Sequence, residues 1–207
     1  METTAKKATP KQTRRFSKRE TLTAVQSKTG RRSLRMSLKD FLRIDPEIPG
    51  VKLEWNDGKI ELEYTTKTEE RKIIDRIVRK YNTTKGYAEG NSLLPEADVN
   101  LPSVETYRRP DAAYLTKQQI DDPENAPAAP SFLIEVISPS NSAGEVERKI
   151  DEYFRAGVEV VWVVYPNTKR LYIYTSPKHV QICSDEDICS AAPAVPELQL
   201  TVNEIFA

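Results

Sequence analysis

The sequence predicts an α/β (α+β) protein: a mixed β-sheet with a helix on each face and hairpins at its edges. Three observations carry that expectation. Two alternating runs flank the turn Asn56-Asp57-Gly58, a strong hairpin signal. A helical stripe follows in Ile73, Ile74, Ile77, Val78 and Tyr81. Strand, helix and strand then succeed one another over residues 132–165, a βαβ unit whose two strands should be parallel and whose crossover should be right-handed.

The elements follow in chain order. Ser37 is placed to cap a short helix containing Leu38, Phe41 and Leu42. In the second hairpin strand, Ile60, Leu62 and Tyr64 face one side while Glu61 and Glu63 face the other. The striped helix covers residues 69–81, and short strands are expected near 97–101 and 111–115. Pro123, Pro127 and Pro130 make residues 121–130 a loop. Residues 132–137 read as a buried strand. Ser142 and Glu145 have capping-box spacing, and Val146, Ile150, Tyr153 and Phe154 supply the buried stripe of a helix that Gly157 ends. Residues 159–165 are nearly all apolar, as in a strand buried on both faces. Residues 170–175 and 178–183 form a closing hairpin, and from Pro193 to Ala207 a loose end with a short apolar tip at Ile205-Phe206 is expected.

Composition sets the bounds. The 207 residues suit one domain with a sizeable core plus extra material. Charged residues at 30% and hydrophobic ones at 38% are those of an ordinary soluble protein. No run of about 18 apolar residues exists, so no membrane span is expected. Positive charge without an apolar stretch near the start argues against a secretory signal. Cys183 and Cys189 are too few and too close for a disulfide framework, and with His179 they make a poor zinc set, so a reducing, cytoplasmic setting is expected. The zero net charge is uneven: residues 1–35 carry +9 and the remainder −9. Those 35 residues are expected to form a disordered basic arm ahead of a folded domain over 36–207, either a solvated tail (or a start placed upstream of Met36) or an electrostatic DNA tether.

The candidate chemistry lies between Arg108 and Gly157. Glu135 falls inside a strongly apolar strand, where a carboxylate is costly unless paired or bound to a cation. Asp111 follows Pro110 at the start of a strand. Two carboxylates on neighbouring strands can share a hard cation such as Mg²⁺. Lys149 lies about 10 Å into the helix, and Glu135 about 10 Å back from the strand end, so the two should reach similar heights. Each residue also has a structural reading: Glu135 paired with Arg108 or Arg109, Asp111 as a cap or turn residue, Lys149 as a surface partner of Glu145 or Glu152.

Residues 108–114 (RRPDAAY), 132–140 (FLIEVISPS), 149–158 (KIDEYFRAGV) and 161–166 (VWVVYP), with 53–58 (LEWNDG), together resemble the Uma-type family of bacterial restriction-endonuclease-like proteins, over roughly residues 36–207. The resemblance implies the PD-(D/E)XK nuclease superfamily and its restriction-endonuclease-like mixed sheet flanked by helices. It implies Asp111 and Glu135 as metal-binding acids, Glu54 as a supporting acid near the metal, and Lys149 as the helical lysine that replaces the motif's strand lysine, whose position here is Ile137. Family members often carry a His at the start of the helix after the hairpin; this chain has none near Thr66–Glu70.

The function expected is a Mg²⁺- or Mn²⁺-dependent endonuclease hydrolysing DNA phosphodiester bonds, with Asp111, Glu135, Lys149 and Glu54 as its site, DNA as partner, a homodimer for two-strand cutting, and no membrane or organic cofactor. A non-catalytic descendant that binds DNA or protein is the alternative. A carboxylate-pair glycosidase would need neither lysine nor metal, and few sugar-stacking aromatics adjoin the acids.

Overall fold

The computed structural model describes residues 35–43, 51–64, 68–139 and 141–207. Residues 1–34 of the expected basic arm, and Thr66 and Lys67 before the striped helix, lie outside the described residues.

Ser37 caps α1 (Leu38–Phe41), its side chain accepting from the Asp40 N–H. The hairpin follows as β1 (Val51–Asn56) and β2 (Lys59–Tyr64). Its turn places Asp57 at φ 42° and Gly58 at φ 80°, the pair of positive angles for which an Asp-Gly dipeptide is suited. Next come α2 (Thr68–Tyr81), α3 (Lys85–Ala88), β3 (Ser92–Pro95), β4 (Val99–Leu101), β5 (Thr106–Arg108), β6 (Ala112–Leu115) and α4 (Lys117–Asp121). The βαβ unit is β7 (Phe132–Val136), α5 (Ala143–Ala156) and β8 (Val160–Tyr165); β9 (Arg170–Ser176), β10 (His179–Cys183), β11 (Ile188–Ala191), β12 (Val195–Thr201) and α6 (Val202–Phe206) complete the chain.

The main sheet has six strands in the order β10-β9-β8-β7-β6-β3, with only β7 and β8 parallel. The expected mixed sheet is therefore present. Alternation along β6 to β8 sends Ala112, Phe132, Ile134 and Trp162 to one face, beneath Ile73, Ile77 and Tyr81 of α2. It sends Ala113, Leu133, Val161 and Val163 to the other, beneath Ile150 and Tyr153 of α5. Helix α5 has the expected capping box at Ser142 and Glu145, and Gly157 ends it at φ 104°. Such a cap stabilises a helix by about 1 kcal/mol.

A second sheet has the order β2-β1-β5-β4. One of its faces is apolar: Val51, Leu53 and Ile60 pack with Phe41, whose ring meets Tyr107 edge-on at 5.6 Å. The opposite face presents Lys52, Glu54, Glu61, Glu63 and Arg108, and this polar face meets α5 and the end of β7.

The C-terminal residues correct the expected loose end. β11 and β12 pair, Thr201 and Glu204 cap α6, and Leu198, Leu200, Val202 and Ile205 are buried against α2. Arg76 of α2 donates to the Ile205 carbonyl at 3.2 Å. Pro193 and Pro196 obscure the alternating pattern there, because proline usually marks an edge or an end of a strand. β3 and β5, of four and three residues, carry too few alternations to be read from sequence. Among the described residues no helix is long and apolar enough to cross a membrane.

Candidate metal centre

The antiparallel register of β6 and β7, with Ala112 opposite Ile134, brings Asp111 beside the end of β7. There Asp111 Oδ2 accepts from the Val136 N–H at 2.6 Å, and Oδ1 pairs with the Lys52 ammonium. Glu135, one residue earlier on β7, faces α5 and accepts at Oε1 from the Tyr153 hydroxyl at 2.5 Å. Lys149 and Tyr153 are four residues apart on α5 and so share one helix face. Lys149 Nζ lies 3.0 Å from Glu63 Oε2, 3.3 Å from Glu54 Oε1 and 3.5 Å from Glu135 Oε1. Glu54, Glu135 and Lys149 are thus one ion-paired group, and Asp111 adjoins it through the β7 backbone.

Glu63, Lys52 and Tyr153 join these residues, although none of the three was singled out from sequence. The available signal was alternation: Lys52, Glu54, Asn56 on β1 and Glu61, Glu63 on β2 are every second residue of the hairpin. Asn141 donates to Glu63 Oε1 at 2.8 Å and so orients it.

Arg108, fully buried, holds the group from behind. Cross-strand neighbours Glu54 and Glu61 would repel. Arg108 Nη1 donates to both, at 2.9 Å to Glu54 and 2.6 Å to Glu61, while Nε donates to Glu152 at 3.1 Å. Arg148 bridges Glu61 and Glu152 at 3.0 and 2.9 Å. Glu54 has both oxygens engaged, since Oε1 also accepts from the Arg109 N–H at 3.0 Å.

The electrostatics follow from this packing. Burial, with Glu63, Asp111 and Glu54 close by, pushes the Glu135 carboxyl up to about 7 against the pull of Lys149. Burial also raises Asp111, against Lys52. Glu61 goes the other way: despite burial, Arg108 and then Arg148 hold it at about 2. Lys149 stays firmly protonated because Glu135, Glu54 and Glu63 outweigh its burial.

Among the described residues no three His, Cys, Asp or Glu side chains are set to hold an ion. Their oxygens surround two ammonium groups instead of one common point. In kind and charge the group still fits a hard divalent cation. All its donors are oxygens, and seven carboxylates (Glu54, Glu61, Glu63, Glu96, Asp111, Glu135, Glu152) face five cations (Lys52, Lys59, Arg108, Arg148, Lys149), two negative charges in excess when all are ionised. A cleft lined by Glu63, Glu135, Ile137, Asn141, Val146 and Lys149 leads to the group. Ile137 and Lys149 line the same cleft, so a lysine from α5 reaches the space beside the strand position.

A mixed sheet covered by a helix on each face, with acids at adjacent strand ends and a lysine above them, is the restriction-endonuclease-like architecture. It resembles the crystal structure of a "putative nuclease belonging to DUF820" from Anabaena variabilis, with a TM-score of 0.70 and 20% identity over 83% of this chain and 97% of that one. The chain belongs to the Uma2 family, described as "Putative restriction endonuclease", whose model matches residues 38–203. A search of the curated proteins finds no match.

Proposed function

We propose that this chain is a Mg²⁺- or Mn²⁺-dependent endonuclease that hydrolyses DNA phosphodiester bonds. The observation that carries the reading is the position of Lys149, joined to Glu54, Glu63 and Glu135 at the cleft. Asp111 and Glu135 would hold the cation. When bound, it would supply an activated water and offset charge on the phosphoryl group. Lys149 would place its ammonium against the charge that develops on the phosphoryl oxygens. Glu54 supports the centre through Lys149 and Arg108, which occupy its two oxygens. Tyr153 donates to Glu135 Oε1 and would hold that carboxylate in place for the cation. With one such centre among the described residues, cutting both strands of a duplex calls for two chains.

The test is metal-dependent nicking of plasmid DNA. Asp111→Asn and Glu135→Gln should each abolish it; activity retained by either purified, folded variant overturns the assignment. One observation favours a second reading. Lys52 on Asp111 and Lys149 on Glu63 balance buried acids with the chain's own ammonium groups, an arrangement that a non-catalytic nuclease-fold protein binding DNA or protein would keep as structure. DNA binding that survives chelation, with no cleavage of single-stranded, duplex or branched DNA, would select it.

A further inference from the structure

Lys52 is a second lysine at the centre, more deeply buried than Lys149, for which the nuclease reading has no use. It projects from the polar face of β1, is 2% exposed, and pairs with Asp111 Oδ1. Because Oδ2 is fixed by the Val136 N–H, Oδ1 is the oxygen left to turn toward a cation, and Lys52 holds it. A lysine ammonium held on that oxygen competes with a divalent cation for it, since their like charges repel at such range.

Lys52 also has a second carboxylate within reach. Its Nζ lies 4.0 Å from Glu96 Oε1. Glu96 follows β3, and its N–H donates to the Asp111 carbonyl at 3.0 Å, so the two acids are tied side by side. Their settings differ: the Asp111 side chain is 6% exposed and that of Glu96 is 44% exposed. The ammonium thus stands between an inner and an outer carboxylate that the backbone keeps at a fixed spacing.

We propose that Lys52 is a resident counter-cation of the centre, exchanging between Asp111 and Glu96. Without metal, Lys52 neutralises Asp111 and limits repulsion among the buried acids. On loading, Lys52 yields Oδ1 to the divalent cation and moves its ammonium to Glu96, so no buried charge is left unpaired. The inference rests on the metal-dependent reading of the site and adds a cost to metal binding, set by Lys52.

The test is calorimetric titration of the full chain with Mn²⁺ alone, and with Mg²⁺ alone, beside thermal unfolding with and without metal. Lys52→Met should bind Mn²⁺ about tenfold more tightly or better, because nothing competes for Oδ1. Its metal-free Tm should fall, and saturating Mn²⁺ should erase that deficit. Glu96→Gln should bind Mn²⁺ several-fold more weakly. An unchanged or weaker affinity in folded Lys52→Met, or a Tm deficit that persists under saturating Mn²⁺, overturns the exchange and makes the pair purely structural. Should Lys52→Met not fold in either condition, Glu96→Gln decides, and unchanged affinity there overturns the proposal. If neither wild type nor variant binds either metal, the nuclease reading fails as well; if wild type binds and cleaves while both variants bind as it does, only the role of Lys52 falls.

Discussion

The Tyr153 hydroxyl donates to Glu135 Oε1 at 2.5 Å, joining the helix of the βαβ unit to its first strand by one short hydrogen bond. Both side chains are buried, so neither group has water as a ready substitute. Tyr153→Phe keeps the ring packing and removes only the donor. Loss of such an outer partner lowers metal affinity or activity by about 10- to 100-fold, against about 1 kcal/mol of stability. The checks are the Mn²⁺ dissociation constant, the nicking rate and a urea melt. Unchanged affinity and rate would show that Glu135 needs no positioning.

Glu135 should make the metal-free protein less stable as pH rises from about 4.5 through about 7. Its carboxyl is raised to about 7 in the fold, above the ordinary 4.5. A raised value contributes stability that is fully present below about 4.5 and is lost as pH climbs through 7, with a ceiling of about 3 kcal/mol. Denaturant melts at pH 5 and pH 8 should show the loss, and Glu135→Gln should flatten it. Because a cation binds the ionised form, loading at pH 6 should release a proton, seen as a binding heat that varies with the buffer's ionisation heat. A binding heat independent of buffer would contradict this.

Glu61 has the opposite sign. Arg108 and Arg148 hold it at about 2, so its contribution is present above about 4.5 and disappears as pH falls toward 2. Glu61→Gln should therefore lower stability by up to about 3 kcal/mol at pH 7 and by little near pH 2. Parallel acid-unfolding curves for the two proteins would refute the pairing.

Arg108 supports Glu54, Glu61 and Glu152 at once. Arg108→Met should cost about 3–5 kcal/mol, the usual effect of leaving buried charge uncompensated. A loss below about 1 kcal/mol in guanidinium melts would mean that Arg148 on Glu61 and Glu152, with Lys149 on Glu54, sustains the three acids.

Lys149→Met should reduce nicking by about 10²- to 10³-fold, the scale of losing one preorganised electrostatic group. Ile137 and Lys149 line one cleft, so Ile137→Lys in the Lys149→Met background should restore part of the rate. Full activity in folded Lys149→Met would remove the lysine from the reaction.

The parts of the centre legible in sequence are those set by local geometry. Ser142, Gly157 and the stripe of α5 have fixed spacings, and counting rises along helix and strand placed Lys149 at the height of Glu135, where they meet at 3.5 Å. Lys52 and Glu63 were hidden for a different reason. Alternation shows that they share a face, but not that this face packs inward on α5. That depends on β5 joining β1 through Tyr107 and Trp55, a pairing between segments some fifty residues apart. Leu198 and Leu200 were missed because their burial comes from α2, far away in sequence.

The centre draws Lys52, Glu54 and Glu63 from the hairpin and Glu135, Lys149 and Tyr153 from the βαβ unit, so it exists only along the seam between them. During synthesis the hairpin leaves the ribosome long before its partners. Until residue 153 has emerged and the two halves have docked, the nascent chain has no complete set of charges to act with. The complete charge network is therefore withheld from every incomplete or half-folded copy, a consequence of the order of the elements along the chain.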